Sequence, residues 1–358
     1  MRLPTICLSL ALLAGCAGEP LPESSPPGAV ELATATPAAV ALIPAGPRLA
    51  DHRYITADGT SLPLRVFLPE GRPKAVILGL HGMNDYSNAF TLPAPELTRQ
   101  GIALYAYDQR GFGAGPRRGR WAGADVMVDD AARAAWLLRQ RYPDTPIYLL
   151  GESMGGAIAI LVAARPSPPP IDGIVLVAPA VWGRQTMNFF ERAGLWFTGL
   201  FPAMKLSADA LPVKIRASDN VPMLRALGAD PLVIKDTRSD TLNGVVDLMG
   251  AALIAAPRLV TPALILYGEN DQVVPRAPMA RFVATLPPAA RARQRIALYP
   301  SGYHMLMRDI EAKIVIDDVA AWMLHPSDPL PSRADRGARM ALTGEPEIIA
   351  AERTGLRD

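Results

Sequence analysis

A serine between glycines, a histidine and an aspartate give this chain the residue types of nucleophilic catalysis. Ser153 lies in Gly151-Glu152-Ser153-Met154-Gly155, a G-x-S-x-G pattern with a strand-like run, Ile147 to Leu150, before it and a helix-forming run, Met154 to Ala164, after it. The five-residue pattern is common by chance. Its context is not: a sharp strand-to-helix turn pushes a serine hydroxyl clear of a sheet, and Gly151 and Gly155, lacking Cβ atoms, let helix and strand approach. A serine hydroxyl is a weak nucleophile at neutral pH and needs a base, which itself needs an orienting acid. Of the four histidines, His52 precedes the first strand, His81 ends one beside Gly82, and His325 begins the C-terminal segment. His304, in YPSGYHMLMRD after the last strand-like run, is the best base. For the acid, Asp271 sits at a strand end in GENDQVVP, with Glu269 as its rival. The oxyanion formed when a hydroxyl attacks a carbonyl needs preorganised N–H donors. The Met154 N–H comes with the turn, and Met83, in HGMNDYS after another strand-like run, is the candidate second donor.

Such a set needs a rigid scaffold, and the chain supplies the pattern of one. Strand-like runs at 62–69, 75–82, 102–111, 146–153, 171–180, 262–271 and 295–302 alternate with helical stretches. Several runs are apolar on both faces, as strands buried in a parallel sheet are. In 125–143, Val128, Ala132 and Ala135 fall at helical spacing and Pro143 ends the run. The expected fold class is α/β, a mostly parallel central sheet flanked by helices. The stretch 181–258 breaks the alternation as a long apolar insertion, read as a helical cap, with aromatics concentrated at Phe189, Phe190, Trp196, Phe197 and Phe201. The folded domain is expected over 48–325, and 326–358, without core periodicity, as a loosely attached tail.

The chain has 358 residues, and its net charge of +2 arises from 36 basic and 34 acidic residues that are interspersed, which speaks against a nucleic-acid partner. The histidines and carboxylates show no metal-ligand spacing, and no cofactor is implied. The N-terminus, MRLPTICLSLALLAGCAGEP, has a basic residue, a short apolar run and small residues before Cys16, the pattern of an export signal over 1–15. Leu13-Ala14-Gly15-Cys16 resembles a bacterial lipobox. That likeness implies cleavage before Cys16, a lipid on Cys16 and, with Ala17 in place of aspartate, anchoring to the outer membrane on its periplasmic side. Cys7, the other cysteine, would be removed, so the mature chain would hold no disulfide. The Pro- and Ala-rich stretch 16–47 reads as a tether.

HGMNDYS, YDQRGFGAG, GESMGG, GENDQVVP and SGYHMLMRD, in that order, resemble the monoacylglycerol lipase and lysophospholipase group of α/β-hydrolases, also grouped with the serine aminopeptidases, over about residues 51–324. The order Ser153, Asp271, His304 is that of the α/β-hydrolase triad. The resemblance implies Ser153 as nucleophile, Asp271 and His304 as its partners, Met83 and Met154 as backbone oxyanion donors, and 181–258 as a cap over an acyl site. One departure is Gly115, in the basic stretch PRRGR, where many relatives have serine. Asp108 and Arg110 are read as turn-holding residues. The expected activity is a serine carboxylester hydrolase acting on single-chain lipid esters. A peptidase or acyltransferase with the same triad and a catalytically silent lipoprotein scaffold are the alternatives, whereas Ser153 argues against enzymes of this fold that use an aspartate nucleophile.

Overall fold

The computed structural model describes residues 46–207 and 215–344. Cys16, the export signal, most of the tether and residues 345–358 lie outside them. All seven expected strand runs form: β3 (Ser61–Phe67), β4 (Ala75–Leu80), β5 (Ile102–Tyr107), β6 (Ile147–Glu152), β7 (Gly173–Val177), β10 (Ala263–Gly268) and β11 (Gln294–Tyr299). Two three-residue strands, β1 (Arg48–Ala50) and β2 (Arg53–Ile55), join them in one sheet of order β1-β2-β3-β5-β4-β6-β7-β10-β11. The first four strands in that order pair antiparallel and the rest, from β5 to β11, pair parallel. Every residue of β4, β5, β6, β7 and β10 is buried, which is why their sequences are apolar on both faces.

Alternate strand residues serve two cores. Val76, Leu78 and Leu80 of β4 join a cluster with α2 (Ala124–Arg141) and α3 (Met154–Ala163). Ala75 and Ile77 join one with α1 (Ala94–Arg99) and α8 (Ala312–Leu324). Each fully buried Leu, Ile or Val here stabilises the fold by about 1.5–3 kcal/mol. Both layers hold the carboxyl ends of the parallel strands in fixed relation.

The insertion after β7 differs from the expected cap in two ways. It contains a two-stranded antiparallel ribbon, β8 (Lys205–Ser207) with β9 (Asp236–Arg238), between α4 (Phe189–Gly199) and α6 (Ser239–Ala255). It also ends in a helix of the body: Val245, Leu248, Ala252 and Ala255 of α6 are buried in the α2–α3 core, because small residues on α3 let α6 lie against it. The expected cap boundary at 258 therefore takes in a core helix. The outer part holds α4, started by a reciprocal cap between Asn188 and Glu191, and α5 (Val221–Ala229), capped by the Asn220 side chain.

The segment after His325 is also corrected as far as it is described. Leu330 and Leu342 are buried, the Leu298 N–H donates to the Ala334 carbonyl at 2.9 Å, and α9 (Ala338–Thr343) packs on α7 (Arg276–Thr285). Six residues of helix are too few to show periodicity in sequence, which is why the segment reads as a tail. Among the described residues no helix is long and apolar enough to cross a membrane.

Candidate active site

Ser153 occupies the turn between β6 and α3 with φ 53° and ψ −115°, a conformation that side chains other than glycine rarely adopt. Backbone hydrogen bonds hold it there. The Ser153 N–H donates to the Val177 carbonyl at 3.0 Å, and the Ser153 carbonyl accepts the N–H groups of Gly156 and Ala180, both at 2.9 Å. The flanking glycines are required sterically, since a Cβ on Gly155 would overlap the Leu80 carbonyl and one on Gly151 the Gly155 carbonyl.

Asp271 and His304 meet at the carboxyl ends of β10 and β11. The His304 Nδ1 lies 2.9 Å from Asp271 Oδ2, with both side chains almost fully buried. Asp271 Oδ1 accepts the N–H groups of Val273 (2.7 Å) and Val274 (3.0 Å), which fixes the carboxylate. A carboxylate at Nδ1 selects the tautomer with its proton there and leaves Nε2 to act as base. Glu269, the rival acid, faces Arg276 at 3.3 Å. Among the described residues neither Ser153 Oγ nor His304 Nε2 has a hydrogen-bond partner. Catalytic hydrogen bonds in ligand-free enzymes are often long and tighten with substrate bound.

The loop carrying Met83 runs past the serine: a Cβ on Gly82 would stand 3.4 Å from Ser153 Cβ. Neither the Met83 nor the Met154 N–H meets an acceptor among the described residues, so both are free to donate to a ligand. Fully buried His81 anchors this loop. Its Nε2 accepts the Gln109 N–H at 2.9 Å, its Nδ1–H donates to the Gly82 carbonyl at 2.8 Å, and the Gln109 side chain returns a 2.8 Å bond to the His81 carbonyl. Burial lowers the His81 pKa and keeps the ring neutral, as a ring that accepts a backbone N–H must be. Asp108 accepts from the Ser87 N–H, the Ser87 hydroxyl and the Ala114 N–H, and Arg110 pairs with Asp130 and Asp58. Both hold turns.

Two groups of residues at the site carry no sequence signal that singled them out. The stretch 216–220 of the insertion straps across the acid and base loops: the Arg216 N–H donates to Gln272 Oε1, the Met305 N–H to the Ala217 carbonyl, and Ser218 Oγ to Asp309 Oδ1, at 2.9, 2.9 and 2.6 Å. Asp309 Oδ2 in turn accepts the Tyr303 N–H at 2.8 Å, and burial raises its pKa. Second, Arg308 is buried between Asp85 and Glu152, at 2.7 and 2.6 Å. Among the described residues no group of three or more His, Cys, Asp or Glu is placed to hold a metal ion.

The family model described as serine aminopeptidase, S33, matches residues 71–311, a span that contains Met83, Ser153, Met154, Asp271 and His304. The chain belongs to the serine aminopeptidase S33 family. A monoglyceride lipase of Mus musculus is 30% identical over 76% of this chain and 89% of that protein. A monoacylglycerol lipase of Mycolicibacterium smegmatis is 25% identical over 76% and 96%. Among solved structures, the monoacylglycerol lipase of Paleococcus ferrophilus has a TM-score of 0.60 at 24% identity, covering 74% of this chain and 98% of that one. A soluble variant of the Saccharomyces cerevisiae monoglyceride lipase has a TM-score of 0.63 at 17% identity, covering 78% and 94%. The S33 chain thus has the α/β-hydrolase fold and is a carboxylic ester hydrolase.

Proposed function

We propose that the chain hydrolyses single-chain lipid esters, of the monoacylglycerol or lysophospholipid type, through an acyl-enzyme on Ser153. The observation that carries this reading is the Asp271–His304 pair at the same sheet edge as the strained Ser153 turn. In the first half-reaction His304 Nε2 takes the hydroxyl proton as Ser153 Oγ bonds to the ester carbonyl carbon. The Met83 and Met154 N–H groups bind the oxyanion. Its collapse breaks the bond to the leaving alcohol, which takes the proton from His304. Water then repeats the sequence, giving up its proton to His304, and the acid leaves as Ser153 recovers the proton. Asp271 stays ionised throughout and stabilises the imidazolium.

The lipid character of the substrate is supported by the names of the relatives and by α4, on which Phe189, Phe190, Trp196 and Phe197 are exposed and only Leu195 is buried. Such an apolar surface suits an acyl chain or a lipid phase. We also propose that Cys16 carries a lipid anchor, which would hold the enzyme at the periplasmic side of the outer membrane, among its substrates. The test is turnover of p-nitrophenyl esters of graded chain length, then of monoacylglycerols and lysophospholipids, by wild type and Ser153→Ala. Ester cleavage that is lost in a folded Ser153→Ala is expected. Cleavage of no ester of any chain length, or of amides alone, contradicts the reading.

A further inference from the structure

Arg308 joins three loops that sequence keeps far apart. Its Nη1 donates to Asp85 Oδ2 at 2.7 Å and its Nη2 to Glu152 Oε1 at 2.6 Å, and all three side chains are at most 7% exposed. Asp85 lies two residues beyond Met83, Glu152 immediately precedes Ser153, and Arg308 lies four residues beyond His304. Asp85 is itself fixed, since its Oδ1 accepts the Tyr86 N–H at 2.8 Å, and the Arg308 carbonyl accepts from the Asn220 side chain at 3.0 Å. We infer that Arg308 is a positioning residue, whose guanidinium holds the oxyanion loop, the nucleophile turn and the base loop in one frame.

Stability alone is a poor explanation for the trio. Desolvating charges costs several kcal/mol per ion, and replacing a whole buried ion cluster by apolar residues is often neutral or stabilising. What an arginine adds is geometry: a planar, rigid fork whose two arms here reach different loops, with charge-assisted bonds at each end. Burial opposes the charge on Arg308, but the two carboxylates outweigh it and its pKa is raised, so the fork stays charged. Displacing a catalytic group by about 1 Å can cost roughly 10²-fold in rate, and this fork ties together the loops that carry Met83, Ser153 and His304.

The inference rests on the hydrolase reading, and wild-type turnover and phosphonate labelling test that reading separately. In Arg308→Met, kcat is expected to fall by about 10–100-fold with KM within about threefold. The rate of fluorophosphonate labelling is expected to fall in parallel, at a temperature where the variant is folded by circular dichroism. Arg308→Lys, which keeps the charge but loses the fork, should recover more of the melting temperature than of kcat. If Arg308→Met does not fold, Asp85→Asn and Glu152→Gln decide: a lowered kcat at little-changed KM supports positioning, and unchanged kcat overturns it. A folded Arg308→Met with wild-type kcat overturns it as well. A wild type that neither turns over esters nor labels removes the hydrolase reading and the positioning role with it.

Discussion

His81 ties the loop carrying Met83 to the fold only as a neutral ring, so the stability of the protein should carry its titration. The unfolded chain binds a proton on this histidine with a pKa near 6.5, whereas burial depresses the folded value. A depressed folded pKa means that the unfolded state holds more protons, so the contribution is complete above pH 6.5 and is lost as pH falls below it. If the folded ring stays neutral to pH 5, the loss between pH 8 and pH 5 is about 2 kcal/mol, from 1.36 kcal/mol per tenfold shift. For a domain of this size that is about 3 °C in melting temperature. Asp130 and Asp309 have raised pKa values and act in the opposite sense, gaining stability as pH falls toward their titration. The comparison is therefore made with His81→Asn, which keeps those carboxylates and the other three histidines. Urea unfolding at pH 8, 6.5 and 5 should show the wild type losing more stability than the variant as pH falls below 6.5, by up to about 2 kcal/mol at pH 5. Parallel pH dependences would mean that His81 titrates normally in the folded protein and that the neutral-ring argument is wrong.

Asp271→Asn should lower kcat for ester hydrolysis by about 10³–10⁴-fold by favouring the wrong imidazole tautomer, while Glu269→Gln, which loses only the Arg276 pair, should leave kcat within about twofold. Steady-state kinetics separate the two, and the reverse result would exchange their roles. Gly155→Ala should destabilise by about 1–3 kcal/mol or more, because its Cβ meets the Leu80 carbonyl; an unchanged melting temperature would count against that packing. Ser218→Ala leaves a buried carboxylate oxygen of Asp309 without its partner and should cost about 1–3 kcal/mol in urea unfolding. A variant as stable as wild type would show that water replaces the hydroxyl.

Much of the scaffold was legible because its strands are buried on both faces. A run such as Ala75–Leu80 has no polar face and is hard to read as anything else. Chain order likewise led to the meeting of Asp271 with His304, since each follows a strand that ends at the same sheet edge. What stayed hidden depends on distance in sequence. Arg308 pairs with Asp85 across 223 positions, and nothing near either residue marks it as buried. The α6 helix is apolar and helical whether it caps a site or lines a core, and only its contact with α3 tells which. Strands of three residues, as in β1 and β2, and the six-residue α9 are shorter than the periods that would reveal them.

Intact-mass spectrometry after treatment with a fluorophosphonate tests the role of Ser153 most directly. One adduct per chain, mapped by proteolysis to Ser153 and absent from a folded Ser153→Ala variant, is the expected result. A wild type that stays unmodified, or a variant that labels as fast as wild type, would contradict it.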